Sequence, residues 1–456
     1  MKRESMNNTN EERLGTESIW KLMLSMGIPV FIAQLIYLLY NIVDRVFIGH
    51  IAGAGAAPLT GVGICFPIIS LVVAFSQFVG AGGAPLAAIA LGKGDRNRAE
   101  KILANGVSML IFFAVLLMVV FYLIKRPFLY AFGASDITFE YANQYISIYL
   151  MGTIFVMAVM GLNTFITAQG QAKVAMVSVL IGAILNIILD PIFIFAFKLG
   201  VRGAAIATVL SQAVSAVWVL QFLFSKKASL RIKLSLMKPD FTIIKNISAL
   251  GVSPFIMSAT ESLITVVFNR GAQVYGNDFY VGSITILQSV LTMIFTPLNG
   301  FTQGVQPIIS YNYGAGNSKR VKTTCYRLIT IAFLTALILA SVAIIIPRNI
   351  ASIFTDSSEL LDICAKALPI YICGMTVFGL QSGCQSAFMA LGQAKKSLFF
   401  ALFRKVILLT PLAIILPMTM NSVMGIYIAE PISDTLSALV CFTTFILSLN
   451  KILGED

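Results

Sequence analysis

The sequence predicts an all-α polytopic membrane protein, in which 12 transmembrane helices form two pseudo-symmetric six-helix lobes with a central cavity. Three observations lead to this fold class: the composition, a series of twelve apolar runs and an internal repeat. Of the 456 residues, 58% are hydrophobic and 11% are charged, whereas a soluble domain has about 45–50% and about 25%. At about 20 residues per crossing, twelve crossings use roughly 240 residues, close to the apolar content of the chain.

Twelve apolar runs, each bounded by charged or turn-forming residues, account for most of the chain. Each run can cross a bilayer as a helix, which satisfies its own backbone hydrogen bonds as lipid requires. The runs are continuously apolar, so the alternation typical of a transmembrane β-barrel is absent. We number the predicted spans 1 to 12, in the order 21–48, 58–91, 103–124, 141–168, 174–197, 203–224, 246–269, 280–311, 328–346, 363–391, 397–418 and 424–449.

An internal repeat relates the first six spans to the last six. Residues 168–173 read AQGQAK and residues 390–395 read ALGQAK, so that position 168 corresponds to position 390. We call this constant difference in number the repeat offset. Six crossings return the chain to its starting side, so the halves form a parallel repeat about an axis normal to the membrane. The repeat offset also relates Gly82 to Gly304, Pro85 to Pro307, Gly92 to Gly314, Tyr149 to Tyr371, Gly152 to Gly374 and Gly203 to Gly425, and in the first span of each half a slightly larger offset relates Pro29 to Pro254 and Arg45 to Arg270.

The repeat divides the chain into an arm (1–20), an N-lobe with spans 1–6 (21–224), a linker (225–245), a C-lobe with spans 7–12 (246–449) and a tail (450–456). The side that carries the arm, linker and tail holds 24 Lys and Arg, against 8 on the other side. By the positive-inside rule, both termini and the linker are predicted to be cytoplasmic. This count includes Arg404 and Lys405, which are expected to snorkel from span 11 to that surface.

Charged side chains inside the spans are costly and are therefore functional candidates. Those of this sequence are all acids: Asp44 in span 1, Asp190 in span 5, Glu261 in span 7, and Glu430 with Asp434 in span 12. No Lys or Arg lies near the middle of a predicted span. The interior is therefore expected to suit cations or protons better than anionic substrates.

The spacing of polar residues predicts an ion site in the N-lobe. In span 1, Tyr37, Tyr40, Asn41 and Asp44 share one helical face, and in span 5 Asn186 lies one turn before Asp190. Span 6 carries a polar stripe of Thr208, Ser211, Gln212 and Ser215. If these faces converge, their oxygen atoms could bind Na⁺, or the two carboxylates could share a proton. The sequence leaves both alternatives open.

The two halves carry different ionisable groups at equivalent positions. Asp44 aligns with Asn269, and Thr208 aligns with Glu430. A purely structural acid would be expected to recur in both halves, so this asymmetry favours specialisation, with the N-lobe as the stronger ion-site candidate. The structural alternative is that each acid only bonds a neighbouring helix.

The sequence lacks the residues that other classes of function require. The six cysteines form no C-x-x-C pair, His50 is the sole histidine, and no phosphate-binding loop occurs. The sequence therefore predicts no enzyme, no cofactor and no metal site beyond Na⁺. The net charge of +12 is mostly the excess on the predicted cytoplasmic side and requires no nucleic acid.

The sequence resembles the multidrug and toxic compound extrusion (MATE) family of prokaryotic transporters. The resemblance runs from about Ser18 to Leu449 and rests on three stretches: Tyr40-Asn41-Ile42-Val43-Asp44-Arg45 before Ile48-Gly49, Gly170-Gln171-Ala172-Lys173, and Asn186 through Leu189-Asp190-Pro191. It implies cation-coupled export of amphipathic, often cationic compounds by alternating access.

The resemblance also implies roles for single residues. Asp44, Asn186, Asp190 and Thr208 match the family's N-lobe site for the coupling H⁺ or Na⁺. Glu261 matches a glutamate used by another branch, whose second acid lies in span 10, where this sequence has Gln381 and Gln385 instead. Glu430 is the available substitute. The predicted positions for substrate or a secondary ion are therefore Glu261, Glu430, Tyr37, Tyr40, Asn41, Gln381 and Gln385.

The expected function is secondary active export of small organic cations or amphipathic drugs against inward H⁺ or Na⁺, by a monomer embedded in the lipids of the plasma membrane. The alternative is a flippase for lipid-linked oligosaccharides. An anionic pyrophosphate substrate calls for basic residues in the cavity, which an acid-only interior does not provide. An intramembrane enzyme and a channel are further alternatives without a supporting motif.

Overall fold

The computed structural model describes residues 12–51 and 57–455. Within these ranges the regular structure is entirely helical. Ten helical segments are long and apolar enough to cross a membrane, and two bent helix pairs bring the number to twelve when each pair counts as one crossing. The chain is therefore a multi-pass membrane protein, as the sequence predicts. The first eleven residues of the predicted arm and the last residue of the tail lie outside the described residues.

The helices of the N-lobe follow the predicted spans, with breaks in spans 2, 4 and 5. In chain order they are α1 (Ile19–Gly49), α2 (Ala57–Ile64), α3 (Phe66–Gly92), α4 (Arg96–Ala131), α5 (Asp136–Met151), α6 (Thr153–Ala168), α7 (Ala172–Pro191), a π-helical turn (Ile192–Ala196) and α8 (Val201–Phe224). Helices α2 and α3 together form span 2, and α5 with α6 forms span 4.

The C-lobe repeats this order. Its helices are α9 (Phe241–Tyr275), α10 (Asp278–Gly314), α11 (Ser318–Ile345), α12 (Pro347–Ala351), α13 (Ser358–Ile372), α14 (Met375–Ala390), α15 (Ala394–Leu402), a π-helical segment (Phe403–Leu409), α16 (Thr410–Met420) and α17 (Met424–Leu453). Helices α13 and α14 form span 10, and α15, the π-helical segment and α16 form span 11.

The bends in spans 4 and 10 occur at equivalent glycines. The helix axis turns by 57° between α5 and α6 at Gly152, and by 44° between α13 and α14 near Gly374. A Cβ atom on Gly152 would meet the side chain of Val209, and one on Gly374 would lie 2.6 Å from the Cα of Pro431. Each glycine thus lets its bent span approach the sixth span of the same lobe closely.

The turns that follow spans 2 and 8 also repeat. Gly94 and Gly316 adopt φ angles of +75° and +71°, which glycine tolerates without strain. The next residues, Asp95 and Asn317, cap the following helices, because their side-chain oxygens accept a hydrogen bond from the backbone N–H three residues on. The same local chemistry therefore reverses the chain in both halves.

Reciprocal glycine contacts join the two lobes. A Cβ atom on Gly92 would strike the backbone oxygen of Tyr311, and the equivalent atom on Gly314 would strike that of Ile89. The repeat offset exchanges these two contacts. Such exchange is the property of a two-fold interface, in which the same patch of each half contacts the other. The pseudo-symmetry predicted from the sequence is thus confirmed.

Two connecting segments are held on opposite lobes. The linker docks on the N-lobe, where the backbone N–H of Leu230 donates to Gln169 Oε1 (3.0 Å) and Lys233 Nζ pairs with Glu100 (2.5 Å). The segment before α1 docks on the C-lobe, where Arg320 Nη2 donates to the backbone oxygen of Glu17 (2.8 Å). Both segments lie at one end of the bundle, which we call the linker end.

The close contact between the lobes at the linker end predicts that an added methyl group lowers the stability of the protein. We expect Gly314→Ala to lower the stability by about 1–3 kcal/mol, because its Cβ atom would overlap the backbone of Ile89. The measurement is the thermal unfolding midpoint of the purified protein in detergent. Gly63→Ala is the matched control, since a Cβ atom on Gly63 meets nothing within 4 Å. Equal midpoints for the two variants would contradict the close contact.

Candidate functional site

Two buried carboxyl groups from spans 1 and 5 face each other in the N-lobe. Asp44 lies near the end of α1, and Asp190 lies near the end of α7 and is fully buried. Their side chains are close enough to share a hydrogen bond when one carboxyl carries a proton. The structure thus brings together the two acids that the sequence places on polar helical faces.

An asparagine connects this acid pair to span 6. The Nδ2 atom of Asn186 donates to Asp190 Oδ1 at 3.2 Å and to Thr208 Oγ1 at 3.4 Å. All four predicted coupling residues therefore belong to one cluster, which we call the N-lobe cluster: Asp44, Asn186, Asp190 and Thr208. Spans 1, 5 and 6 supply its members.

Three buried oxygen atoms of the N-lobe cluster have no hydrogen-bond partner: Asp44 Oδ1, Asn186 Oδ1 and Asp190 Oδ2. An unsatisfied buried acceptor costs about 1–3 kcal/mol, and more when it is charged. Carboxylate and amide oxygens are the ligands that hard cations prefer. A proton shared between the two acids would relieve the same cost. The donor set therefore fits either Na⁺ or H⁺.

Irregular backbone follows the acid in span 5. Pro191 comes directly after Asp190, and a π-helical turn follows at Ile192–Ala196. A proline removes one helical hydrogen bond, and π-helical turns occur frequently at functional sites. In the C-lobe, Pro411 holds the equivalent place beside a π-helical segment, Phe403–Leu409. Both lobes thus keep a deformable point in their fifth span.

Tyrosines surround the N-lobe cluster on the side of span 4. The Tyr145 side chain lies close to Thr208, and its ring stacks on Tyr149 with 6.1 Å between centroids. On span 1, the rings of Tyr37 and Tyr40 meet edge to face at 5.3 Å. Sequence reasoning missed Tyr145 as a site residue, although its spacing of four from Tyr149 places both on one face of α5.

A cavity of about 190 Å³ lies next to the N-lobe cluster. Tyr37 and Tyr40 form part of the cavity wall and also lie beside the cluster. The rest of the cavity wall is apolar apart from neutral polar groups. The amides come from both lobes: Gln34, Gln77, Asn163 and Gln212 of the N-lobe, and Gln303 and Gln306 of span 8 in the C-lobe. No charged side chain of the described residues lines the cavity. The cavity therefore offers apolar surface and hydrogen bonds, while the charge lies one turn away at Asp44. Asn41, the other predicted substrate residue of span 1, is not part of the cavity wall. Its Nδ2 atom donates to the backbone oxygen of Tyr37 in the same helix (2.6 Å).

The C-lobe holds buried basic residues, which corrects the expectation for span 11. Arg404 is 2% exposed, and its Nε donates to Asp434 Oδ1 at 2.6 Å while its Nη2 donates to Glu430 Oε1 at 3.1 Å. Lys405 is also buried and pairs with Glu261 at 2.9 Å. The expected snorkelling is therefore wrong, and so is the expectation of an acid-only interior. The reason is that acids of spans 7 and 12 stabilise both cations inside the lobe.

The remaining C-lobe candidates make different contacts. Glu261 is 61% exposed and contacts Lys405. Gln385 donates to Met257 Sδ (3.2 Å), and the Oε1 atom of buried Gln381 has no partner. Glu430 is engaged by Arg404. The arrangement of these four candidates thus differs from the single cluster of the N-lobe.

Two related six-span lobes with buried ionisable groups define a membrane transporter of the parallel-repeat class. The chain belongs to the MatE family, whose model matches residues 29–192 and 254–415. It is similar to the "Multidrug export protein MepA" of Staphylococcus haemolyticus, with 24% identity over 413 residues, covering 90% of this chain and 88% of the relative. The protein of the same name from Staphylococcus aureus is also 24% identical, over 412 residues with the same coverage.

Solved structures share the fold. A MATE protein in the bent conformation superposes with a TM-score of 0.91 at 23% identity, covering 98% of each chain. An outward-facing multidrug resistance MATE transporter of the MOP superfamily gives 0.89 at 23% identity, covering 97% of this chain and 98% of that one. The two-lobed architecture is therefore that of MATE transporters.

The Asn186 bridge predicts a stability effect. We expect Asn186→Ala to lower the free energy of unfolding by about 1–3 kcal/mol, because Asp190 and Thr208 lose their shared donor in a buried place. Thermal unfolding in detergent measures the effect. Asn41→Ala is the control, because the Asn41 amide donates within its own helix, to the backbone oxygen of Tyr37. A larger loss for Asn41→Ala would contradict the bridging role.

Proposed function

We propose that this protein is a secondary antiporter that exports organic cationic or amphipathic compounds and is driven by H⁺ or Na⁺ bound at the N-lobe cluster. The observation that carries the proposal is the buried pair of Asp44 and Asp190, with unpartnered oxygens beside a neutral cavity. The multidrug export proteins among its relatives support the same kind of cargo.

The coupling follows from the cost of buried charge. Without a bound cation, two carboxylates face each other in a low-dielectric interior and repel. A proton or Na⁺ neutralises one charge and draws span 1 towards span 5. Release of the ion on the other side of the membrane restores the repulsion, and Pro191 with its π-helical turn lets span 5 bend in response. Because Tyr37 and Tyr40 belong to the cavity wall, a shift of span 1 changes the shape of the substrate site.

The proposed setting is the plasma membrane, with both termini cytoplasmic and the protein acting as a monomer among membrane lipids. No catalytic step or resident cofactor enters the proposal. A flippase of lipid-linked oligosaccharides is less well supported. Although Arg404 and Lys405 are basic residues inside the C-lobe, both are bound to acids, and neither lines the cavity.

Replacement of the buried acid tests the coupling. We expect Asp190→Asn to abolish gradient-driven efflux of an organic cation from proteoliposomes, because the site loses the charge that binds the coupling ion. The assay applies a pH gradient and a Na⁺ gradient separately, so that the gradient which drives the wild type identifies the ion. Asp362→Asn is the matched control, since Asp362 forms an exposed pair with Arg348. Unchanged efflux by Asp190→Asn, or a wild type that responds to neither gradient, would overturn the proposal.

Glu261 offers a separate test of substrate recognition. The side chain is 61% exposed although it lies on a membrane-spanning helix, so it remains accessible to a cationic compound while it contacts Lys405. We expect Glu261→Gln to raise the KM for organic cations several-fold with a smaller change for neutral amphipathic compounds. Initial rates over a series of concentrations measure this difference. Wild-type KM values for every cation tested would contradict a role for Glu261.

A further inference from the structure

The wall that spans 2, 5 and 6 contribute to the cavity has a counterpart in the C-lobe that is filled by side chains. The repeat offset relates positions of one lobe to positions of the other. Four residues of this N-lobe wall are Val73, Gly182, Gln212 and Ser215. Their counterparts are Phe295, Arg404, Asp434 and Ser437. A glycine at the wall of an open cavity thus corresponds to a buried arginine.

The backbone supports this correspondence. A Cβ atom on Gly182 would lie 2.7 Å from Ser215 Oγ, so span 5 packs tightly against the serine face of span 6 there. In the C-lobe, Ser433 Oγ donates to the backbone oxygen of Arg404 at 2.8 Å, so span 11 packs against the serine face of span 12. Ser433 is the counterpart of Ser211, which lies on that same face of span 6. Span 5 at Gly182 and span 11 at Arg404 therefore pack against equivalent faces of the sixth spans, although Gly182 lies in regular α-helix and Arg404 lies in a π-helical segment.

Aromatic rings enclose the guanidinium of Arg404. Its Cζ atom lies 4.3 Å from the centroid of Phe378 and 5.7 Å from that of Phe295. The counterparts of these rings in the N-lobe are Val156 and Val73. Aromatic faces attract cations through the ring quadrupole, most strongly when the cation is desolvated. The C-lobe pocket thus has a lining suited to an organic cation, and Arg404 supplies that cation.

Each base of the C-lobe pocket is bound to acids. Glu430 and Asp434, which bond the Arg404 guanidinium, replace the neutral Thr208 and Gln212 of the N-lobe. Lys405, the other buried base, pairs with the exposed Glu261. Arg404 is therefore the cation that the two buried acids hold in this pocket.

We propose that the C-lobe contains a second organic-cation site, equivalent to the N-lobe wall of the cavity, whose permanent occupant is the guanidinium of Arg404. The protein's own side chain takes the place that a guanidinium or alkylammonium compound would hold. External cargo is thereby confined to the open cavity and the coupling ion to the N-lobe cluster, a consequence that rests on the proposed function. The occupied site itself does not depend on that function.

Removal of the occupant tests the proposal. In Arg404→Ala, the acids and the aromatic rings remain around an empty pocket, so the purified full-length protein should bind methylguanidinium added at millimolar concentration. We expect the thermal unfolding midpoint of Arg404→Ala to fall below that of the wild type, and methylguanidinium to raise it by roughly 2–4 °C. Methylurea has nearly the same shape without the charge and should have no effect.

Controls separate this binding from general effects of the additive. Arg348→Ala removes an exposed arginine that also pairs with an acid, Asp362, and should show no response to methylguanidinium, and neither should the wild type. Equal responses of Arg404→Ala and the wild type, or equal responses to methylguanidinium and methylurea, would overturn the proposal.

A second variant keeps the test decisive if two unpaired acids prevent folding. Arg404→Ala combined with Asp434→Asn leaves the Glu430 carboxylate in the same aromatic pocket without the base that bound it, because Lys405 is held by Glu261. Its midpoint should also rise selectively with methylguanidinium, and absence of this rise in the folded double variant would overturn the proposal. Failure of the wild type to export organic cations would count against the proposed function alone, because the stability measurement involves no gradient and no transport.

Discussion

A charge buried inside a membrane protein is costly unless it is neutralised, and the two lobes of this protein meet that cost in different ways. The N-lobe leaves two carboxyl groups facing each other with oxygen atoms unpartnered. In the C-lobe, the side chain of Arg404 neutralises the buried acids Glu430 and Asp434. In the proposed function, the N-lobe takes up a mobile ion to balance its charge, whereas the C-lobe carries its cations as side chains. The N-lobe is then the half of the molecule that responds to the ion.

The common scaffold allows the two lobes to be compared position by position. Reciprocal glycine contacts, bends at Gly152 and Gly374, and caps at Asp95 and Asn317 recur in both halves. Where the backbones correspond, the two lobes differ in the chemistry of single side chains. The open space beside Gly182 corresponds to a pocket that Arg404 fills. A shared frame thus carries different side chains in its two halves.

Much of the fold could be predicted from the sequence. Continuous apolar runs predict helices in lipid, and the constant repeat offset predicts the pseudo-symmetry. The N-lobe cluster was predictable because helical spacing places Asp44, Asn186 and Asp190 on polar faces, and polar faces in a membrane protein turn towards each other. Tyr145 was missed because a single tyrosine in an apolar run carries no charge to mark it.

The C-lobe pocket could not be predicted in the same way. Arg404 lies within reach of the helix end when only its own span is considered, so counting basic residues by side assigned it to the surface. Its partners Glu430 and Asp434 lie in another span, and no local spacing connects them with it. The π-helical segment Phe403–Leu409 further changes which way its side chains point. Burial here depends on tertiary contacts, which a one-dimensional pattern does not contain.

The docking of the two connecting segments has a mechanical consequence. The chain that enters the N-lobe through α1 is fastened to the C-lobe beforehand, at Arg320, and the chain that enters the C-lobe through α9 is fastened to the N-lobe beforehand, at Gln169 and Glu100. Each lobe therefore binds the segment that leads into the first helix of the other lobe. Any rotation of one lobe against the other must flex α1 and α9, the helices that carry Asp44 and Glu261. Rigid-body motion and the position of these carboxylates are thus tied together by the covalent path of the chain.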